Sequence, residues 1–536
     1  MPDSKTENHA VELLVASAVK GRMSRRRFME GAACLGLSVA AASTLWSTRV
    51  HAATPQKGGS FRVGVHDGNT TDTHDTGKYQ SVGDIQLAHA HRSYLTEITS
   101  ENGLGPDMAD SWSASPDAAV WTFELNKDAT FHDGRKFTSK DAIASLNHHR
   151  GETSSAAAPL LASVTDIKAD GDHTIVIELD QGFADLPWIM TDYHLAMCPA
   201  KDDGSPDWES GMGAGPYRIT DRDAGVRIAL ERHDGWHREG AYFDSLEMTV
   251  LNDPNARQAA LVTGDVDAVT SLDLKTLSLL RRDSNVEIDN VPSGSAITLP
   301  MFCDTPPFDN VDVRLALKYA INREELVQKI LYGTGTVGND YHVSPGMPYY
   351  PDLPQRPYDL DKAKFHLNKA GLSSLDVELS AADSVLPGAV DMVVLYSQQA
   401  KGAGINIKPV REPNDGYWSN VWLVKPFVFV KWGARPTPDN MFTLAYKADA
   451  DWNESHWQNE RFNELLLLAK KELDQDRRAE MYREMCELAK DDGGTIIPMF
   501  TNFVYGHRKN IQHGESLASS WELDGARGWH RWWFTS

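Results

Sequence analysis

The chain has 536 residues, which at roughly 100–200 residues per domain points to about three domains and argues against one small module. Asp and Glu number 75 against 53 Lys and Arg, a formal charge of −22, which argues against binding the phosphate backbone of a nucleic acid as the main function. Hydrophobic residues at 41% and charged residues at 24% can build cores and do not fit a disordered chain.

The first element is an address. Ser24-Arg25-Arg26-Arg27-Phe28-Met29-Glu30 precedes a small and apolar stretch from Gly31 to Trp46, shorter than the ~20 residues that span a bilayer. Val50-His51-Ala52 then gives the small-x-small pattern that signal peptidase accepts, placing cleavage after Ala52. The paired arginines followed by Phe28 resemble a twin-arginine export signal, which carries folded protein across the inner membrane. Residues 1–52 hold seven Lys or Arg and four Asp or Glu, a net +3, so the remaining 484 residues carry −25. The acidic surplus therefore belongs to the exported protein. Its cysteines, Cys198, Cys303 and Cys486, show no CxxC spacing and allow at most one disulfide.

Strands with period-2 alternation are expected at 61–65, 121–125 and 175–179. A helix is expected from Asp312 to Leu331, because Val313, Ala316, Leu317 and Ala320 recur at helical spacing, with Gly333 as its cap. Another covers Asp359–Gly371. A long helical region runs from Asn459 to Lys490, broken at Asp474-Gln475-Asp476, with Cys486 on its apolar stripe. Interleaved strands and helices give the α/β class with several sheets. The aromatic tail Gly528–Phe534 is expected to pack under the first lobe.

Residues 108–150, with Phe131-His132-Asp133-Gly134 and the helix cap Phe137-Thr138-Ser139-Lys140-Asp141-Ala142, resemble the signature of family 5 (peptide, opine and nickel type) extracellular solute-binding proteins. Gly211–Tyr217 (GMGAGPY), Leu261–Asp267 (LVTGDVD), Pro307–Val311 with Arg314 and Ala320–Arg323, Tyr358–Gly371 and Pro438-Asp439-Asn440 follow in the family's order. The resemblance implies a two-lobed periplasmic binding protein of type II, cluster C-like, with an inserted extra domain and a ligand cleft between the lobes. It implies no cofactor, a small solute or short peptide as ligand, an inner-membrane ABC permease as partner, and a monomeric periplasmic protein. Mapped onto this chain, lobe I comprises residues 53–91, 208–293 and 496–536, the inserted domain 92–207 and lobe II 294–495.

Peptide-binding members carry an acidic residue after a Trp-x-Gly step, which pairs with the ligand's amine. Here the stretch reads Trp432-Gly433-Ala434-Arg435-Pro436-Thr437-Pro438-Asp439, with Ala434 near the acidic position and Arg435 beside it. Arg presents planar donors suited to a carboxylate, so a carboxylate-bearing ligand is expected, or else Arg435 pairs with Asp439. Tyr417, Trp418 and Trp432 are candidate aromatic walls. Asp72, Thr73 and His74 in the loop after the first strand, and Asp340, His342 and Asp383 in lobe II, are candidate polar contacts. The alternatives are a nickel- or haem-type chelate ligand, for which 19 His leave room, and a metal-dependent hydrolase using His132-Asp133, His148-His149 or His89-x-His91. The hydrolase reading is weak, because these residues fall in turns the binding-protein pattern explains and no GxSxG, HExxH or P-loop occurs. No catalytic residue is expected.

Overall fold

The computed structural model describes residues 25–35, 37, 42 and 55–535. Arg25–Cys34 is helical; most of the apolar stretch and the cleavage point after Ala52 lie outside the described residues. No described helix is long and apolar enough to cross a membrane.

Two long antiparallel strands, Val286–Pro300 and Thr495–Arg508, form the spine. Among the described residues they belong to a nine-stranded sheet that continues through Ala268–Val269, Ser60–Val65, Ser245–Val250, Arg227–Arg232 and Tyr217–Asp223. Its first strand lies parallel to two neighbours, Phe61 opposite Leu246 and Val63 opposite Ala268. This end of the sheet buries Phe61, Phe243, Trp529 and Trp532 in one core, so the aromatic tail packs under lobe I as expected.

A separate antiparallel sheet runs in the order Ala109–Ala114, Val120–Leu125, Thr174–Leu179, Val164–Ala169. Trp121, Phe123, Ile175 and Ile177 alternate onto its buried face and pack with Ala142 and Leu146 of the helix Ser139–Asn147. That helix starts with a capping box, Thr138 and Asp141 satisfying each other's backbone N–H groups.

Beyond Pro300 the chain builds lobe II, a helical core around the parallel pair Leu375–Ala381 and Ile405–Arg411. The helix expected over Asp312–Leu331 is two helices, Val311–Tyr319 and Arg323–Ile330. The Asn322 side chain accepts from the Glu325 N–H and starts the second one. The apolar stripe runs through the break because both helices face one core. Expected strands match within one residue at each end, and Asp359, Asn459 and Asp474 cap the remaining helices. Cys486 is fully buried, and Cys198, Cys303 and Cys486 are free thiols.

Candidate functional site

Between the lobes lies a cavity of about 540 Å³, bounded by Trp188, Ile189 and Tyr193 on one side and by Met347, Pro348, Arg435, Pro436 and Leu444 on the other. Gly294, Ser295 and Phe503 of the two crossing strands form its floor. The volume falls in the ~300–1,000 Å³ range of small-ligand sites, and the surface is mostly apolar, with Asp192, Arg435 and Arg527 as charged groups on it. Two larger depressions are more open. One, of about 690 Å³ around Asp304, Asp451 and His456, belongs to lobe II alone; the other, of about 760 Å³, is edged by Asp273, Lys275, Lys329 and Asp391.

The floor is shaped by a register break. Val286–Pro300 pairs regularly with its partner until Pro292, shifts, and resumes at Ala296. Within the shift Ser293 donates to the Thr501 carbonyl and Ser295 to the Trp432 carbonyl. A Cβ on Gly294 would sit 3.2 Å from the Ala434 Cβ, so the loop and the crossing strand approach closely. The Trp432 N–H donates to the Ala296 carbonyl at 2.8 Å. Thr437 then caps the helix Pro438–Ala445, whose first position is a proline that has no N–H to satisfy. Ala434, Arg435 and Pro436 are held between these anchors.

Arg435 projects into this cavity. Its Nη1 donates only to the nearby Gly433 and Ala434 carbonyls, and no carboxylate among the described residues lies within ion-pair distance of it. Burial alone pushes its guanidinium below the usual arginine range. The pairing with Asp439 is not formed: that carboxylate is buried beside Asp185, Arg478 and Lys470. A second cation, Arg527, lines the cavity with Nη2 unpartnered, pushed down to about 10 by burial although Glu97 supports its charge. Its Nε lies 3.3 Å from Glu97.

The other expected contacts are placed elsewhere, each for a visible reason. Trp432 is buried behind the loop among His342, Trp422 and Trp452. His342 is buried against the Tyr446 hydroxyl, and burial pushes its ring down to about 3. Tyr417 donates to the Phe429 and Ser380 carbonyls inside lobe II, whereas Trp418 is 51% exposed. Asp340 is fully buried and binds Arg323 at 2.7 Å and Arg356 at 3.0 Å, also accepting from the Ile497 N–H. Asp383 pairs with Arg411. Asp72 accepts from the Asn69 N–H, Thr73 exchanges hydrogen bonds with Asp75, and His74 faces Arg222. None of these lines the cavity.

Sequence reasoning missed Trp188, Tyr193, Asp192, Trp521 and Arg527, which do. Tyr193 and Trp521 meet edge to face at 5.7 Å. The one local signal was a short aromatic-rich run, Trp188 to Tyr193, without strand or helix period. Of the histidines of the hydrolase reading, His89 lines the cavity, and the others are spent structurally: His91 on the Gly211 carbonyl, His132 on the Gly215 carbonyl, His148 on Asp75 and His149 on Ser155.

The family described as bacterial extracellular solute-binding proteins, family 5 Middle, matches residues 103–454. The chain is 24% identical over 417 residues to the peptide transport periplasmic protein SapA of Salmonella typhimurium, covering 71% of this chain and 76% of that one. It is 22% identical over 456 residues to the dipeptide-binding protein of Escherichia coli, covering 76% and 83%. The structure of HbpA2 from Haemophilus parasuis superposes with a TM-score of 0.77 at 19% identity, over 87% of this chain and 99% of that one. The shared fold is the two-lobed type II periplasmic binding protein.

Proposed function

The chain belongs to the bacterial extracellular solute-binding proteins of family 5, and from that membership we propose that it is the periplasmic binding component of an ABC importer. In this reading it captures a peptide-like or opine-like solute bearing a carboxylate and hands it to the membrane permease. The lobes close over the ligand, no reaction is catalysed, and the protein acts as a monomer. Arg26-Arg27-Phe28 supports export by the twin-arginine route, with cleavage after Ala52. The relatives' names, peptide transport and dipeptide binding, support the substrate class.

Arg435 carries the carboxylate assignment. A guanidinium desolvated without a counter-ion is costly, and a ligand carboxylate gripped by two parallel N–H donors relieves that cost. The test is a thermal-shift screen of the purified protein with di- and oligopeptides, amino-acid–sugar conjugates and metal chelates. A ligand that binds only the folded state raises Tm by mass action. Arg435→Ala is expected to weaken a carboxylate ligand by about 2–5 kcal/mol and to leave its amidated counterpart nearly unchanged. Equal affinity of the free acid and the amide for the parent protein would sink the assignment.

A further inference from the structure

We propose that Asp289, His507 and His513 form a divalent transition-metal site on lobe I, of the zinc class and separate from the cleft. The three residues come from three places in the chain. Asp289 lies on the strand Val286–Pro300, His507 on the neighbouring strand Thr495–Arg508, and His513 just after the short strand Ile511–Gln512. Glu287 is directly opposite His507 in the ladder, and Asp289 is two residues along, on the same face.

Three observations converge. One ligand atom from each residue lies within 4.8 Å of the others. The His507 Nε2 is 3.4 Å from the Asp289 Oδ2 and the His513 Nε2 is 3.5 Å from its Oδ1. Each separation is long for a charge-assisted hydrogen bond, which runs about 2.7–2.9 Å, and close to the ligand–ligand spacing, about 3.3–3.4 Å, around a tetrahedral ion with metal–ligand bonds of about 2.0–2.1 Å, here with one ring against each oxygen of the carboxylate.

The tautomers agree with this. His507 Nδ1 lies 2.9 Å from the Arg508 carbonyl and His513 Nδ1 2.6 Å from the Gly514 carbonyl. A carbonyl can only accept, so each Nδ1 carries the hydrogen, and a ring that is neutral turns a lone pair at Nε2 toward the carboxylate. Lone pairs facing lone pairs repel unless a cation, a metal ion or a proton on Nε2, sits between them. Finally, the His507 Nε2 and the Asp289 Oδ2 are both buried without a hydrogen-bond partner, on a His507 side chain only 1% exposed.

The rings are braced by Trp532, at 5.4 and 5.3 Å. His513 is 20% exposed, which leaves a path for an ion. Glu287, 3.9 Å from the His507 Nε2, is within reach as a fourth ligand. Two imidazoles and a carboxylate select zinc, nickel, cobalt or copper over calcium and magnesium. None of the three residues lines the ligand cavity, so this site stands whatever the solute is.

The experiment is a zinc titration of tag-free, chelator-stripped protein by calorimetry, with metal analysis after gel filtration. One equivalent per chain and a higher Tm are expected, and cobalt(II) should give the visible absorption of a tetrahedral site. His513→Ala, at the more exposed ligand, should lower affinity by more than the ~10–100-fold cost of disturbing an outer-shell partner. Asp289→Asn should weaken zinc as well, whereas Arg435→Ala should keep full stoichiometry. Zinc binding that is absent in the parent, or equally tight in His513→Ala and Asp289→Asn, overturns the site and leaves a shared proton as the cation of the cluster.

Discussion

Asp439 stands in the first turn of the helix Pro438–Ala445, 2% exposed, with Oδ1 unpartnered. Burial pushes its carboxyl up, and the nearby Asp185 adds to that, against weaker pulls from Lys470 and Arg478. The folded protein thus keeps a proton that the unfolded chain releases near pH 4, and gives it up only around pH 7. Because the native state binds more protons in that window, stability falls as pH rises through it and levels off above. Asp439→Asn, which cannot ionise, should melt at the parent's temperature near pH 4 and above it at pH 8, by calorimetry. A Tm difference independent of pH would remove Asp439 from this role.

At this scale the sequence offered two fates for Arg435, a ligand carboxylate or Asp439, and the structure leaves it at the cavity without the Asp439 pair. Asp340 and His342 were misread. A polar residue destined for a buried partner looks the same in sequence as one destined for a ligand, and those partners, Arg323 and Arg356 for Asp340 and Tyr446 for His342, declare themselves only once lobe II is folded.

Between elements, the contact that sequence could not show is one that joins the two sides of the cleft. Phe183, Ala184 and Asp185 lie beside the short helix Leu186–Ile189 and dock on two lobe II helices, Glu460–Ala469 and Gln475–Asp491. The Ala184 N–H donates to the Lys470 carbonyl at 2.7 Å, and the Lys470 ammonium lies over the Phe183 ring. Asp185 meets Arg478 at 2.6 Å with both side chains buried. The Arg478 guanidinium lies 5.2 Å from the Tyr349 ring and 5.4 Å from the Tyr482 ring, and its Nε donates to the Ala469 carbonyl. Asp185→Ala strands this guanidinium, a loss of about 3–5 kcal/mol for a buried pair broken on one side. Ligand affinity should drop although Asp185 is outside the cavity, and small-angle scattering should show a larger radius with ligand present. Adding Arg478→Met should recover part of both. Unchanged affinity and radius in Asp185→Ala would show that the pair does not hold the lobes together. Strands were legible because period-2 alternation survives wherever one face is buried. The split at Asn322 was not, because one continuous apolar stripe serves two helices.

Over the whole molecule, periodicity alone reached the α/β class, and the order of family-like blocks reached the two-lobed plan. The pairing of Val286–Pro300 with Thr495–Arg508 has no local signature, since ladder partners about 200 positions apart are chosen by the assembled sheet. Its far end has a further meaning. Pro300 faces Thr495 across the ladder, where opposite residues sit about 5 Å apart, so residues 301–494 form one excursion that leaves and returns at a single point. A chain joining Pro300 to Thr495 through an Asn-Gly turn should therefore be an uninterrupted lobe I. It is expected to melt in one cooperative transition and to keep the Trp529 and Trp532 core, read by tryptophan fluorescence. If it does, the excursion is an exchangeable cassette, and new binding halves can be spliced into this frame at that one junction.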